Sequence, residues 1–420
     1  MKLRQIFTVA MLSAIAFAGC EKANIDVDTT AIDGSATGEV SGVWAKGSIH
    51  LIKGDVIIPE GKSLTIEEGV TVLMDTIAKP EFIVKGNLYS LGTTENPVRF
   101  TVLDSYKTTA KRFGKLWGGI LCGPTAVEVV LDHTILEYGG STTSDASSSV
   151  KMGLYKAVAG ENLPALWFAN ANGKLIVQNS IIRNFQEDCT YIEGGKIIFA
   201  NNMFYTTGVT GGEAMNFKSG CLADVANNLV YSANTNALKL SNAGDKTPQA
   251  YIIAYNNTFV NTGWRRPTAK GGSVWIEATV RTELYNNIFA NTRFGVKRDP
   301  KKPEDSRSKY SNNWYFGFDQ TTVNQFQPGS NDVVAGTNDV ISKVANDNDP
   351  KFVNYPTNTA VLNADFNTAW DFHLQGNSAA LTKGTTAFTR HHKAGITTAN
   401  GITYVSPEPS VIVGAYGTKI

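Results

Sequence analysis

Five short segments share one pattern: ALWFAN, AMNFKS, ALKLSN, SVWIEA and GVKRDP. With their apolar members inward at the two-residue period of a strand, Trp167, Asn216, Lys239, Trp275 and Lys297 project together from one outer face. Lys218, Glu277 and Asp299 stand beside them. Indole faces stack on the apolar faces of pyranose rings, and lysines pair with carboxylates or sulfates. The set therefore has the chemistry of a sugar-binding groove, with Trp167, Lys239, Trp275, Glu277 and Lys297 as the expected substrate contacts. A solvated sheet face with two incidental tryptophans would read the same way.

Basic residues gather around the same region. GWRRPTAK supplies Arg265, Arg266 and Lys270, and RFGVKRDPKKPEDSRSK supplies Arg293, Lys297, Arg298, Lys301, Lys302, Arg307 and Lys309. Asp299, Glu304 and Asp305 only partly offset them. An anionic ligand would be drawn there although the whole chain has a formal net charge of +1. That near-neutral balance excludes reading the protein as a nucleic-acid binder. Loops that merely solubilise a surface are the alternative.

The elements that must hold these side chains show themselves through a repeat. An asparagine pair recurs in IIFANNMFYTTG, LADVANNLVYSANT, IIAYNNTFVNTG, TELYNNIFANTR and SKYSNNWYFG, marked by Asn202, Asn228, Asn257, Asn287 and Asn313. The spacings are 26, 29, 30 and 26 residues, the length of one solenoid coil with variable loops. LIVQNSIIRNF is a weaker copy. Each coil cannot bury its inward face alone, whereas coils stacked at about 4.8 Å share one core and pair every strand. Asparagine suits the corners because it tolerates left-handed backbone and because stacked amides hydrogen-bond from coil to coil. These positions are expected to be structural. Leucine-rich and helical repeats lack support in the pattern.

The opening stretches GDVIIPEGKSLTIEEGVTVLMD and FIVKGNLYSLGTTENPVRFT, then LWGGILCG (residues 116–123) and LDHTILEYGG (131–140), resemble the first coils of bacterial parallel β-helix proteins of the pectate-lyase-like superfamily. The resemblance implies an all-β, single-stranded right-handed parallel β-helix solenoid with a C-terminal cap. Pectate lyases carry Arg-x-Pro-x-x-Arg, whose first arginine abstracts the proton. Arg265, Pro267 and Lys270 match it with lysine in the last place, which makes Arg265 and Lys270 the catalytic candidates of a calcium-assisted lyase acting on uronate glycans. The carboxylates that calcium needs, with Asp188, Glu193 and Glu213 the nearest in sequence, show no recognisable spacing. Polygalacturonase-like hydrolysis would need paired aspartates and Gly-His-Gly, which the chain lacks. His133 after Asp132, and His391 beside His392, have neither metal-ligand nor triad context.

At 420 residues and 42% hydrophobic content the chain can bury a large core, and its 18% charged residues suit short strands and turns. Lys2 and Arg4 precede an apolar run from Ile6 to Ala18, too short to span a bilayer. Phe17-Ala18-Gly19-Cys20 resembles a bacterial lipobox, which implies cleavage before Cys20 and its lipidation; Glu21 resembles the signal for the outer membrane, facing the periplasm or the cell surface. The expected layout is a signal peptide (1–19), a flexible tether (20–43), the β-helix (44–318), and final coils with a cap (319–420). Ser141–Ser149 reads as a surface loop. Cys189 and Cys221 could pair across coils, or serve with Cys122 as small buried side chains. Taken together, the sequence predicts an exported, lipid-anchored protein that binds polysaccharide, with acidic glycans among the candidates, without a required cofactor. The membrane is touched through the lipid alone. A lyase, or a structural or adhesion protein, is the alternative.

Overall fold

The computed structural model describes residues 33–209, 211–266, 271–330 and 332–419. The signal-like segment 1–19, Cys20, the tether through residue 32, and Pro267 and Lys270 of the basic loop lie outside the described residues.

Short strands stack coil upon coil into an all-β parallel solenoid of about 11 turns with almost no helix. One face is a 10-stranded parallel sheet from Gly42–Trp44 to Lys309–Ser311. The other two faces form one 21-stranded assembly because the strand Ile49–Ile58 serves both. Its first half pairs with Thr71–Met74 and its second with Phe82–Val84. The first described strand, Gly34–Glu39, already pairs with it, so coil structure begins inside the segment read as a tether.

The asparagine pairs divide two tasks that the sequence left together. The first member of each pair, Asn201, Asn227, Asn256, Asn286 and Asn312, takes the left-handed corner with φ of 52° to 58°. His133 occupies the equivalent corner at φ 49°, which is its structural role. The second member points inward and builds a file of amides. Asn202 donates to Asn228 at 3.0 Å, Asn228 to Asn257 at 2.9 Å, Asn257 to Asn287 at 2.9 Å and Asn287 to Asn313 at 2.9 Å. Asp339 ends the file by accepting from Asn313 at 3.1 Å. Each amide also donates to a backbone carbonyl of the coil before it, so no buried donor is wasted.

Inside, rings line up along the axis, with Phe259, Phe289 and Tyr315 at centroid spacings of 5.3 and 4.7 Å. Full burial of each such ring contributes roughly 1.5–3 kcal/mol. Beyond Tyr315 the core is continued by Val323, in the helix Gln320–Gln325, and by Phe326 at its C-cap; the N-cap Asp319 accepts from the Thr322 amide at 2.7 Å. Downstream, the chain lies along the outside of the coils. Phe352, Tyr355, Phe366, Trp370 and Phe372 pack over Tyr205 and Tyr231. Ile396 and Tyr404 pack on Tyr89, Val130, Ile176 and Ile198 of the ten-stranded sheet. The Cys122, Cys189 and Cys221 thiols are free and buried, and burial raises all three, Cys221 to about 12.

Candidate functional site

One outward column runs in strict register across the strands Leu166–Phe168, Thr190–Ile192, Met215–Phe217, Leu238–Ser241, Val274–Glu277 and Val296–Arg298. It reads Trp167, Tyr191, Asn216, Lys239, Trp275, Lys297. Successive members are one coil apart, about 4.8 Å. The alternation in the five aligned segments placed its members correctly but omitted Tyr191. The segment CTYIEG alternates in the same way and precedes an asparagine pair by a similar interval. Glu193, Lys218, Ser241, Glu277 and Asp299 lie two residues further along their chains; of these, Ser241 and Glu277 are direct partners.

Trp275 is half-buried and clamped. Its indole N–H donates to Glu277 Oε2 at 2.7 Å, and Glu277 Oε1 lies 3.7 Å from Lys239 Nζ. Burial pushes the Glu277 carboxyl up, but the indole donor, Lys239 and Lys218 outweigh it and hold the group below the usual carboxylate range. Lys297 Nζ lies 5.8 Å from the Trp275 ring centroid and 4.3 Å from that of Phe294. Burial lowers the Lys297 ammonium, and burial together with Lys239 lowers that of Lys218, which sits 5.4 Å over Tyr191.

Trp167 is in the column but offers no stacking face, because it is only 4% exposed. Leu154, Tyr155 and Leu163 cover it, and its indole N–H is spent on Glu193 Oε2 at 2.6 Å. The covering segment starts in the serine-rich stretch expected to be a plain surface loop. There Glu81, buried beneath it, accepts from the Ser149 amide at 2.7 Å and hydroxyl at 2.9 Å. That anchor holds the segment against the sheet.

Beside the column stand carboxyl groups that the sequence did not bring together. The Glu213 carbonyl accepts from Cys189 N, and the Asp188 carbonyl from Ala165 N, so Asp188 and Glu213 occupy matching places on adjacent coils. Their separation is one coil length, which is the signal that could have joined them. Asp188 Oδ1 accepts from the amides of Gly212 at 3.1 Å and Glu213 at 2.8 Å, and Oδ2 accepts from Asn216 Nδ2 at 3.0 Å. Asn236 Nδ2 donates to Glu213 Oε1 at 3.2 Å. Burial, the charge of Asp188 and a side-chain hydrogen bond to Asp188 raise the Glu213 carboxyl to about 8. Glu187 is likewise raised, by burial and by Glu213.

The lyase candidates fare differently. Arg265 is spent on backbone: its guanidinium donates to the carbonyls of Thr207, Gly208 and Ser232 and to the Ser232 hydroxyl at 2.6 to 3.0 Å. Its face rests on Phe113. Burial and Arg112 lower it to about 10, still protonated at neutral pH, so the group is a staple between coils and has no lone pair to offer as a base. The basic cluster is also partly neutralised internally, by Arg298 on Glu304 at 2.6 Å and Arg307 on Asp305 at 2.7 Å. Among the described residues no group of three or more His, Cys, Asp or Glu side chains is placed to hold a metal ion. His391 and His392 serve packing, with both backbone amides donating to Asp224.

Comparison with known proteins adds one match. Residues 35–154 fit the family described as a pectate-lyase like beta helix domain. No curated protein and no solved structure matches the chain. The matched region covers the opening coils, and the same stacking continues without a break through Trp314–Phe316. This architecture fits a polysaccharide-related role. Residues 35–154 are thus similar to a pectate-lyase like beta helix domain, and the parallel solenoid that they begin runs on through the later coils.

Proposed function

We propose that this protein binds an acidic polysaccharide along the outer face centred on Trp275, as an exported protein anchored through a lipid on Cys20. The observation that carries the reading is the in-register run Lys239, Trp275, Lys297, an aromatic face between two cations on consecutive coils. A polymer laid across the coils meets a new side chain about every 4.8 Å, so weak contacts add along its length. Lysines attract its charge, and the indole supplies the apolar surface. Binding rather than cleavage is favoured because all three Arg265 guanidinium nitrogens donate to backbone carbonyls or a neighbouring hydroxyl.

Retention in affinity gels containing alginate or neutral dextran tests this. Slowed migration in alginate only, relieved by salt and weakened by Trp275→Ala or Lys297→Ala, is expected. Equal migration of all three proteins would remove this face from consideration.

A further inference from the structure

We infer that the cavity between the ten-stranded sheet and the outer segment binds a small sugar anion, a uronate or a sugar phosphate, whose charged group sits on Lys196. The site lies on a different sheet from Trp275 and is independent of the groove reading above.

The ten-stranded sheet supplies its floor. Glu128, Lys174, Lys196 and Leu222 are direct partners on four consecutive coils and so form one outward column. Lys174, Lys196 and Leu222 line the cavity from below, and His391, His392, Ile396 and Thr397 roof it. The space is about 430 Å³ and open on one side, within the roughly 300–1,000 Å³ of small-molecule sites. Hydrogen bonds brace the roof at both ends, so the space is preformed. At one end Lys174 Nζ donates to Thr397 O at 2.7 Å, and Ala399 N donates to Glu128 Oε2 at 2.8 Å. At the other, Asp224 accepts from both histidine amides, and His392 Nε2 donates to the Leu222 carbonyl at 3.1 Å.

The charges around the cavity differ in their freedom. The two carboxylates bonded to its lining are fully engaged. Glu128 accepts from Lys174 at 2.7 Å, from the Tyr89 hydroxyl at 2.6 Å and from the Ala399 amide. Asp224 accepts from the two histidine amides and the Ser406 hydroxyl. Glu128 thereby neutralises Lys174. Lys196, one coil on, is exposed, and among the described residues no ion pair or hydrogen bond engages it. Its three N–H donors and the third on Lys174 call for a ligand that carries acceptors and negative charge. A cation would find no free carboxylate oxygen there. Leu222 and Ile396 add an apolar patch beside the cations, which suits the carbon face of a sugar ring and would be wasted on a bare ion.

Titration calorimetry of the full chain with glucuronate, glucose 6-phosphate, inorganic phosphate and glucose tests the site. A sugar anion is expected to bind and glucose is not, and Lys196→Gln should weaken binding about tenfold through loss of a charge-assisted contact. Binding of one sugar anion alone would support the site and identify its oxyanion. Trp275→Ala should leave this affinity unchanged while it weakens retention on alginate, which separates the cavity from the groove. No binding of either sugar anion at millimolar concentration, or equal affinity of wild type and Lys196→Gln, would overturn the site. Loss of binding in Trp275→Ala would place the ligand in the groove and overturn it as well. Inorganic phosphate bound as tightly as the sugar phosphate would overturn the part assigned to the ring.

Discussion

The side-chain nitrogen of Asn228 lies 2.9 Å from the side-chain oxygen of Asn257, and the backbone amide of Asn228 donates to that same oxygen at 2.9 Å. One acceptor thus serves two donors from the coil before it, and the pattern repeats at Asn287 and Asn313. Asn257→Leu removes the acceptor for both donors and the donor to the Val225 carbonyl in a fully buried place. A loss of about 3 kcal/mol or more in urea unfolding is expected. A loss under about 1 kcal/mol would mean the file contributes little beyond corner geometry.

Glu277 restrains the groove it stands in. It ties down the Trp275 indole and offsets Lys239, so Glu277→Gln should release positive charge toward a polyanion. Alginate affinity is expected to rise several-fold, with a steeper salt dependence. Weaker binding would instead mark Glu277 as a direct glycan contact.

Two buried glutamates make stability depend on pH in opposite directions. Burial would raise Glu137, but Arg183 and Lys107, at 2.7 and 3.1 Å, outweigh it and hold the carboxyl at about 2, below its ordinary 4.5. Its contribution is present above pH 4.5 and is lost as pH falls toward 2, on the order of 3 kcal/mol. Glu213 is raised to about 8 by burial and Asp188, so its contribution is complete below pH 4.5 and is lost as pH climbs toward 8. Melting curves across this range should show the acid limb flattened in Glu137→Gln and the alkaline limb flattened in Glu213→Gln. Parallel profiles for all three proteins would contradict both assignments.

Asp224, with no exposed surface, holds the outer segment by accepting from the amides of His391 at 3.0 Å and His392 at 2.8 Å and from the Ser406 hydroxyl at 2.6 Å. Asp224→Ala leaves these three donors without their acceptor. Limited proteolysis followed by mass spectrometry is expected to find cleavage between residues 388 and 406 in the variant and not in the wild type. Identical digestion patterns would show that the apolar contacts of Ile396 and Tyr404 suffice.

The coils were legible because their signal repeats: Asn202, Asn228, Asn257, Asn287 and Asn313 each state the same corner. The outward column was legible for a related reason, since Lys239, Trp275 and Lys297 follow from alternation alone. Whether a side chain in that column meets solvent was not, because Trp167 is covered by Leu154 and Tyr155, residues of a non-repeating loop. The Asp188 and Glu213 pair escaped because it occurs on only two coils, too few to stand out as a period. Arg265 misled for a different reason. The sequence around it matches part of a motif, whereas its hydrogen bonds run to carbonyls of Thr207, Gly208 and Ser232, contacts that no local pattern encodes.

The return of the outer segment also ties the two ends of the chain together. Ala399 N donates to Glu128 Oε2 at 2.8 Å and Thr397 O accepts from Lys174 Nζ at 2.7 Å, so residues synthesised some 220 to 270 positions later finish coils laid down early. Without them, Tyr89, Val130, Ile176 and Ile198 would form an uncovered apolar strip. The early coils pair among themselves, but this strip of their surface is covered only once residues 396–404 lie against it.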